Sequence, residues 1–242
     1  MDMATSDRLV GVIGGMGPDA TIDFMSRILD KTPAEKDQDH IRMLIEHNPR
    51  VPSRQLAMRG DGENPGPVLA EMAARLEAAG ANFIVMPCNA AHAWQNDIVT
   101  AVNIPFISII EASVSKALQL APDDSAIGVL TTPACFTAGL YQQALADANR
   151  EAILQTSDEL AEAIGFIDRI KAGDKSEPVV TGLCKLAERL LSRGAKTLIA
   201  ACTELPLVLK SSMFTVPLVS STDVLAERTV ALAMSDEPPP RQ

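Results

Sequence analysis

The 242-residue chain reads as an α/β protein made of two similar halves, each carrying a parallel sheet. Two observations predict this class. Short β-branched runs alternate with helical segments of about 10 to 15 residues, the pattern of βαβ units. One strand-to-cysteine unit then occurs twice, in the same sequence context. Hydrophobic residues make up 47% and charged residues 21%, enough apolar surface to offset the entropy of ordering the chain.

Residues 9–13 form a β-branched run that ends in Gly14, Gly15 and Gly17. Residues 20–29 place Ile22, Met25, Ile28 and Leu29 at helical spacing. A second strand covers 41–45, and 51–66, rich in Pro, Gly and charge, reads as an irregular loop. Residues 68–79 form a helix closed by Gly80. Strands follow at 83–86, 104–110 and 127–130. Helices are expected at 140–148, 160–171 and 179–192, and strands at 198–201 and 216–219.

The repeat is read from spacing. Gly80-Ala81 leads through a strand to Cys88-Asn89, and Gly194-Ala195 leads to Cys202-Thr203, eight residues from Gly to Cys in both cases. The cysteines lie 114 positions apart, and the preceding helices match at that offset (Leu69 with Leu183, Ala73 with Ala187, Arg75 with Arg189). Val10-Gly11-Val12-Ile13 matches Ile127-Gly128-Val129-Leu130 at 117, and Ile104-Pro105-Phe106-Ile107-Ser108 matches Val216-Pro217-Leu218-Val219-Ser220 at 112. The expected division is an N-terminal tail over 1–8, a first half over 9–105 plus 215–233, a second half over 106–214, and a disordered tail over 234–242.

The net charge of −10 argues against nucleic-acid and anionic-membrane partners, which need a basic face. No apolar run reaches the roughly 18 residues of a membrane span, and no signal peptide is visible. A cytoplasmic protein with reduced thiols is expected. None of Cys88, Cys135, Cys184 and Cys202 forms a C-x-x-C pair.

In open parallel sheets ligands bind beyond the carboxyl ends of the strands. Cys88 and Cys202 both stand there. If the halves face each other, two thiols flank one cleft. Such a pair suits stereoinversion without a cofactor: one group removes a proton from carbon and the other returns one to the opposite face. The backbone N–H groups of Asn89 and Thr203, at the starts of the next helices, favour an anion and a thiolate.

Gly14-Gly15-Met16-Gly17-Pro18-Asp19-Ala20-Thr21, Pro87-Cys88-Asn89-Ala90-Ala91-His92 and Ala201-Cys202-Thr203-Glu204-Leu205 together resemble the signature segments of the aspartate/glutamate racemase family. The resemblance implies a pseudo-twofold α/β fold with the site in the cleft between the halves. It implies two catalytic cysteines and racemisation of a small acidic amino acid without pyridoxal phosphate or any other cofactor. It also implies that Arg54, in Pro52-Ser53-Arg54, and Lys171, in Ile170-Lys171-Ala172-Gly173, hold substrate carboxylates. Met16, Asn89, Ala90, Thr131, Thr203 and Glu204 complete the implied substrate contacts. Ala90 departs from the family, which usually has Thr after Cys-Asn, and Cys135 stands where Thr is common. Dimerisation is common in the family, so a homodimer is open.

The remaining candidates carry alternatives. His92, four residues after Cys88, either acts from behind the site by tuning the thiol or packs and caps a helix. Glu204 either binds the substrate ammonium or serves a helix dipole. Glu111 and Asp223 are equivalent in the repeat and read as helix caps, and Cys184 reads as a buried side chain of an amphipathic helix. No partner pair near Cys202 matches Cys88 and His92, so no metal is expected. Gly15 to Ala20 also fits a dinucleotide-binding fingerprint, although Pro18 removes an N–H where a pyrophosphate needs one. The rival functions are therefore a dinucleotide-binding oxidoreductase and a non-catalytic amino-acid-binding protein on the same scaffold.

Overall fold

The computed structural model describes residues 8–122, 124–237 and 239. Of the two expected tails, residues 1–7, 238 and 240–242 lie outside the described residues, and Met234 is not tail but the last residue of a helix. Arg8 does not belong to a free tail, because its guanidinium donates to the Leu232 carbonyl at 2.6 Å.

The first series of elements is β1 (Leu9–Gly14), α1 (Pro18–Lys31), β2 (Arg42–His47), α2 (Arg54–Arg59), α3 (Gly66–Ala78), β3 (Phe83–Val85), α4 (Gln95–Ala101), β4 (Phe106–Ile107) and α5 (Ile109–Leu120). The second is β5 (Ile127–Thr131), α6 (Pro133–Thr137), α7 (Leu140–Asp147), β6 (Ala152–Leu154), α8 (Ser157–Lys171), α9 (Glu177–Ser192), β7 (Thr197–Ala201), β8 (Leu218–Ser220) and α10 (Ser221–Met234). Two parallel sheets result, in the orders β2-β1-β3-β4 and β6-β5-β7-β8. The repeat thus returns as one topology used twice, in an α/β fold of two related halves.

The sheets divide the strands differently from the sequence reading. β4 pairs with β3 in the first sheet, and β8 pairs with β7 in the second. Residues 106–107 therefore belong with the first sheet, and 218–220 with the second. The reading misassigned them because the following helices cross over: α5 packs on β7 and β8, whereas α10 packs on α1 and β1. The expected strand over 104–110 is cut short because the Ser108 hydroxyl accepts from the Glu111 N–H and starts α5. Ser220 does the same for α10 through Asp223. The serines are the caps, and Glu111 and Asp223 sit in the first helical turn, where the dipole favours a carboxylate. Residues 51–66 are not wholly irregular. Ser53 accepts from the Leu56 N–H and starts α2, which ends at Gly60 in the left-handed region.

Strand alternation explains the layering. Val10, Val12, Phe83 and Val85 of the first sheet and Ile127, Val129, Ile199 and Ala201 of the second point into one central core with α5 and α10. Gly11, Ile13, Ile84, Gly128, Leu130 and Leu198 point outward. Ile13 and Ile84 pack with α3, and Leu130 and Leu198 with α8 and α9. Gly128 lets the outer layer approach closely: a Cβ there would stand 3.0 Å from Ala195 Cβ and 3.2 Å from Leu190 Cβ of α9. Cys184 is half-buried at the edge of that outer layer, less enclosed than its helical spacing suggests.

Because the central core draws on both sheets, the halves are expected to unfold together. Ile199, fully buried between them, should lose about 2–5 kcal/mol on substitution to Ala. Urea denaturation followed by circular dichroism should show one transition, shifted to lower urea in the variant. Two separated transitions would contradict the shared core.

Candidate active site

Cys88 follows β3 after two residues, and Cys202 follows β7 directly. Both thiols are 6% exposed and line the same cavity of about 60 Å³. A cavity must exceed roughly 10–15 Å³ to admit even one water, so this space can take a small polar molecule. Met16, Arg54, Asn89, Ala90, Lys171, Thr203 and Glu204 line it, together with Ser53, Gln55, Thr132 and Ala201. Larger surface grooves of about 580 and 600 Å³ flank α5, but neither contains Cys88 or Cys202.

The walls come from both halves. Arg54, at the start of α2, is pinned by its own loop: its Nη1 donates to the Val51 and Pro52 carbonyls, each at 3.0 Å. The next residue, Gln55, crosses to the other half, where its Oε1 accepts from the Ala134 N–H of α6 at 2.9 Å. Thr132 caps α6 by accepting from the Cys135 N–H. Lys171 ends α8, with its ammonium 3.7 Å from Asp168.

The glycine segment has a role of its own. Gly15 adopts φ +96°, and a Cβ there would meet the Asn48 carbonyl oxygen at 2.6 Å. Its N–H is already taken by the Thr21 hydroxyl at 2.8 Å. A Cβ on Gly17 would stand 2.9 Å from Glu204 Oε1. The loop therefore approaches a carboxylate of the chain itself, from the opposite half. That negative group, and the size of the cavity, oppose a pyrophosphate at this fingerprint.

Glu204 is engaged with Cys202. The Cys202 thiol donates to Glu204 Oε2 at 3.0 Å, and the Thr203 hydroxyl donates to the same oxygen at 3.4 Å. Burial pushes the Cys202 thiol well above its usual range. Glu204 adds to the rise, and Lys171 only partly opposes it. Cys88 is also raised, first by burial and then by Glu204. The Arg54 cation, the Ala91 N–H and Lys171 pull it back. Burial pulls the Lys171 ammonium down, but Glu204 and Cys202 outweigh it, so the side chain stays a cation. The two thiols thus have unlike neighbours: Glu204 beside Cys202 opposes its ionisation, and the Arg54 cation favours that of Cys88.

Two expected residues stand elsewhere. Thr131, the last residue of β5, turns its hydroxyl back to the Ala201 carbonyl at 3.3 Å, and Thr132 takes the place at the wall. His92 accepts the Ile109 N–H at Nε2, at 3.1 Å, so its proton sits on Nδ1, which donates to the Cys88 carbonyl at 2.8 Å. Burial lowers its pKa to about 4. It is a neutral strut between the Cys88 loop and the start of α5, the packing alternative of the two read from the sequence. Cys135 lies buried behind the wall, its pKa pushed up to about 12 by burial, and acts as a packed thiol. Among the described residues no three His, Cys, Asp or Glu side chains form a metal-binding group, and no helix is long and apolar enough to cross a membrane.

Comparison with known proteins gives the chain a family. The profile of the Asp/Glu/Hydantoin racemase family matches residues 13–229. The broad specificity amino-acid racemase RacX of Bacillus subtilis is 28% identical over 230 residues, 92% of this chain and 97% of that protein. Among solved structures, Picrophilus torridus aspartate racemase superposes with a TM-score of 0.83 at 27% identity, covering 93% of this chain and 94% of that one. The glutamate racemase RacE1 of Bacillus anthracis, at 20% identity and a TM-score of 0.70, covers 96% of this chain and 85% of its own and shares the fold. The chain belongs to the Asp/Glu/Hydantoin racemase family and is an isomerase of the racemase kind.

Proposed function

We propose that this racemase interconverts the enantiomers of a small acidic amino acid, aspartate or glutamate, by proton transfer between Cys88 and Cys202. The observation that carries this reading is the placement of two strand-end thiols in one small cavity walled by hydrogen-bond donors. Arg54 and Lys171 are cations. Ser53 and Thr132 have each accepted a backbone N–H, and their O–H groups stay available. With Gln55 Oε1 held by Ala134, the Gln55 amide offers its N–H₂. Against these donors stands a single anionic acceptor, Glu204. Two carboxylates and one ammonium on a ligand complement that inventory. The name of the RacX relative, and Ala90 in place of a hydroxyl, extend the reading to a side-chain end tolerant of other amino acids.

In the reaction, one thiolate takes the Cα proton and becomes a thiol. The opposite thiol gives its proton to the other face and becomes a thiolate, so the charge is unchanged. The carbanion between the steps spreads into the α-carboxylate, where the fixed donors act most strongly. Glu204 holds the Cys202 proton in place, which keeps Cys202 the acid and Cys88 the base in the resting state. The two thiols titrate as a pair. Only side chains of this chain take part.

Incubation with each enantiomer in D₂O, without added cofactor, should introduce deuterium at Cα of aspartate or glutamate faster than at neutral amino acids. Absence of exchange into any acidic amino acid would refute the reading. Cys88→Ser and Cys202→Ser should each lower racemisation about 10²- to 10⁴-fold in both directions. Full turnover in either variant would exclude the two-base route.

The pH dependence has a definite sign. A raised thiol pKa leaves less thiolate at neutral pH, so kcat/KM should climb as pH rises above 7, with its midpoint above that of a free cysteine. Alkylation of Cys88 by iodoacetamide, without substrate, should share that midpoint, and Arg54→Gln should move it higher. A midpoint unmoved by Arg54→Gln would mean that the cation does not act on the thiol.

A further inference from the structure

Behind the cavity runs a hydrogen-bonded chain that crosses between the halves. The Tyr141 hydroxyl of α7 donates to Asn89 Oδ1 at 2.6 Å, Asn89 Nδ2 donates to the Ser221 hydroxyl at 3.0 Å, and that hydroxyl donates to the Ala200 carbonyl at 2.8 Å. Tyr141, Asn89 and Ser221 are all buried, at 1%, 2% and 0% exposure. The direction of the chain is forced from its far end. A carbonyl only accepts, so Ser221 must donate to Ala200 and accept from Asn89. The Asn89 atom facing Ser221 is therefore nitrogen, the other is oxygen, and Tyr141 must donate. Burial also keeps the phenol protonated well above its ordinary range, so it remains a donor throughout the working pH range.

This chain decides how Asn89 faces the cavity. Asn89 lines the pocket beside Cys88, and one hydrogen of its Nδ2 lies on Ser221. The second has no protein acceptor among the hydrogen bonds of the described residues. Reversal of the amide would set oxygen against the oxygen of Ser221 and the N–H₂ against the hydroxyl of Tyr141. Tyr141 thus locks an amide that lines the cavity and keeps one N–H uncommitted. Ala200, whose carbonyl accepts from Ser221, lies two residues before Cys202, so the same chain ties the loop of one thiol to the strand of the other.

We propose that Tyr141 is a positioning residue for racemisation, acting through Asn89 and Ser221 to aim the Asn89 N–H at the substrate carboxylate and to hold the two cysteine loops in register. This rests on the racemase reading above. An N–H aimed at a carboxylate that gains charge in the transition state contributes more there than in the bound substrate. Its misalignment therefore lowers kcat and leaves KM nearly unchanged.

The test begins with the intact protein and each of aspartate and glutamate. Absence of wild-type turnover on both would sink the racemase reading. With wild-type turnover present, the variants address Tyr141 alone. Tyr141→Phe keeps the ring and removes the hydroxyl, and kcat should fall about 10-fold or more, with KM within about 3-fold. Ser221→Ala should do the same, and the double variant should be no slower than the slower single, since either break frees the amide. A kcat within about 2-fold of wild type, a change confined to KM, or effects that multiply in the double variant would overturn the proposal. Tyr141 is the chain's one tyrosine, so growth on 3-fluorotyrosine labels this site alone without a substitution. Its ¹⁹F resonance should shift on saturation with aspartate. A resonance indifferent to aspartate would show a purely structural tyrosine, including in the case where the variants fail to fold.

Discussion

The site depends on one apolar layer shared by the two sheets. Val12 and Val85 reach it from the first sheet, and Val129 and Ile199 reach it from the second. Neither sheet can bury its inner face without the other. Their carboxyl ends consequently meet, and the residues that follow β3 and β7 are carried into one cavity. The crossing helices complete the arrangement. α10 leaves the second sheet and packs on α1 of the first, while α5 leaves the first and packs on the second. A fold of two halves joined only by linkers would leave Cys88 and Cys202 on separate, wetter surfaces.

That enclosure sets the electrostatic problem. Burial raises both thiols, and the chain carries a net charge of −10. The acidic ligand proposed above would have to be held by a few placed cations against the long-range field, chiefly Arg54 and Lys171. Arg54 suits this task because its loop carbonyls fix its orientation in advance, so little rotamer freedom remains to be lost on binding. Glu204 acts in the opposite sense. It keeps Lys171 charged, raises Cys202 and stands against Gly17, where a larger residue would displace it.

Much of this was legible in the sequence because it repeats. The strand-to-cysteine unit, the glycines Gly11 and Gly128, and the serines Ser108 and Ser220 all recur at nearly one offset, although the sequence pattern alone points to Glu111 and Asp223 as the caps. What the sequence concealed lies where chain-local reading has no purchase. Thr131 and Thr132 differ by one residue, and only the end of β5 and the capping of α6 decide which hydroxyl meets the cavity. Gln55 sits in a stretch dominated by Pro, Gly and charge, and its partner Ala134 is 79 positions away. Tyr141 and Ser221 carry no motif and are 80 positions apart, and Asn89 joins them only once the halves meet. His92 lies beside Cys88 in both sequence and space, but its neutral state follows from the Ile109 N–H, a contact created by the cap of α5.

The asymmetry of the two thiols has a thermodynamic limit. Enantiomers have equal free energies in water, so the equilibrium constant for racemisation is one. In the proposed two-base reaction, kcat/KM must then be the same from either enantiomer, whatever the protein does to its cysteines. Arg54 beside Cys88 and Glu204 beside Cys202 cannot favour a product. They can only choose the resting protonation state, and so decide which enantiomer meets an enzyme already poised to accept its proton. The difference must appear as compensating changes in kcat and KM between the two directions. A pseudo-twofold fold supplies equivalent positions for two bases, and the unequal neighbours at those positions break the tie that would otherwise leave both thiols protonated to the same degree.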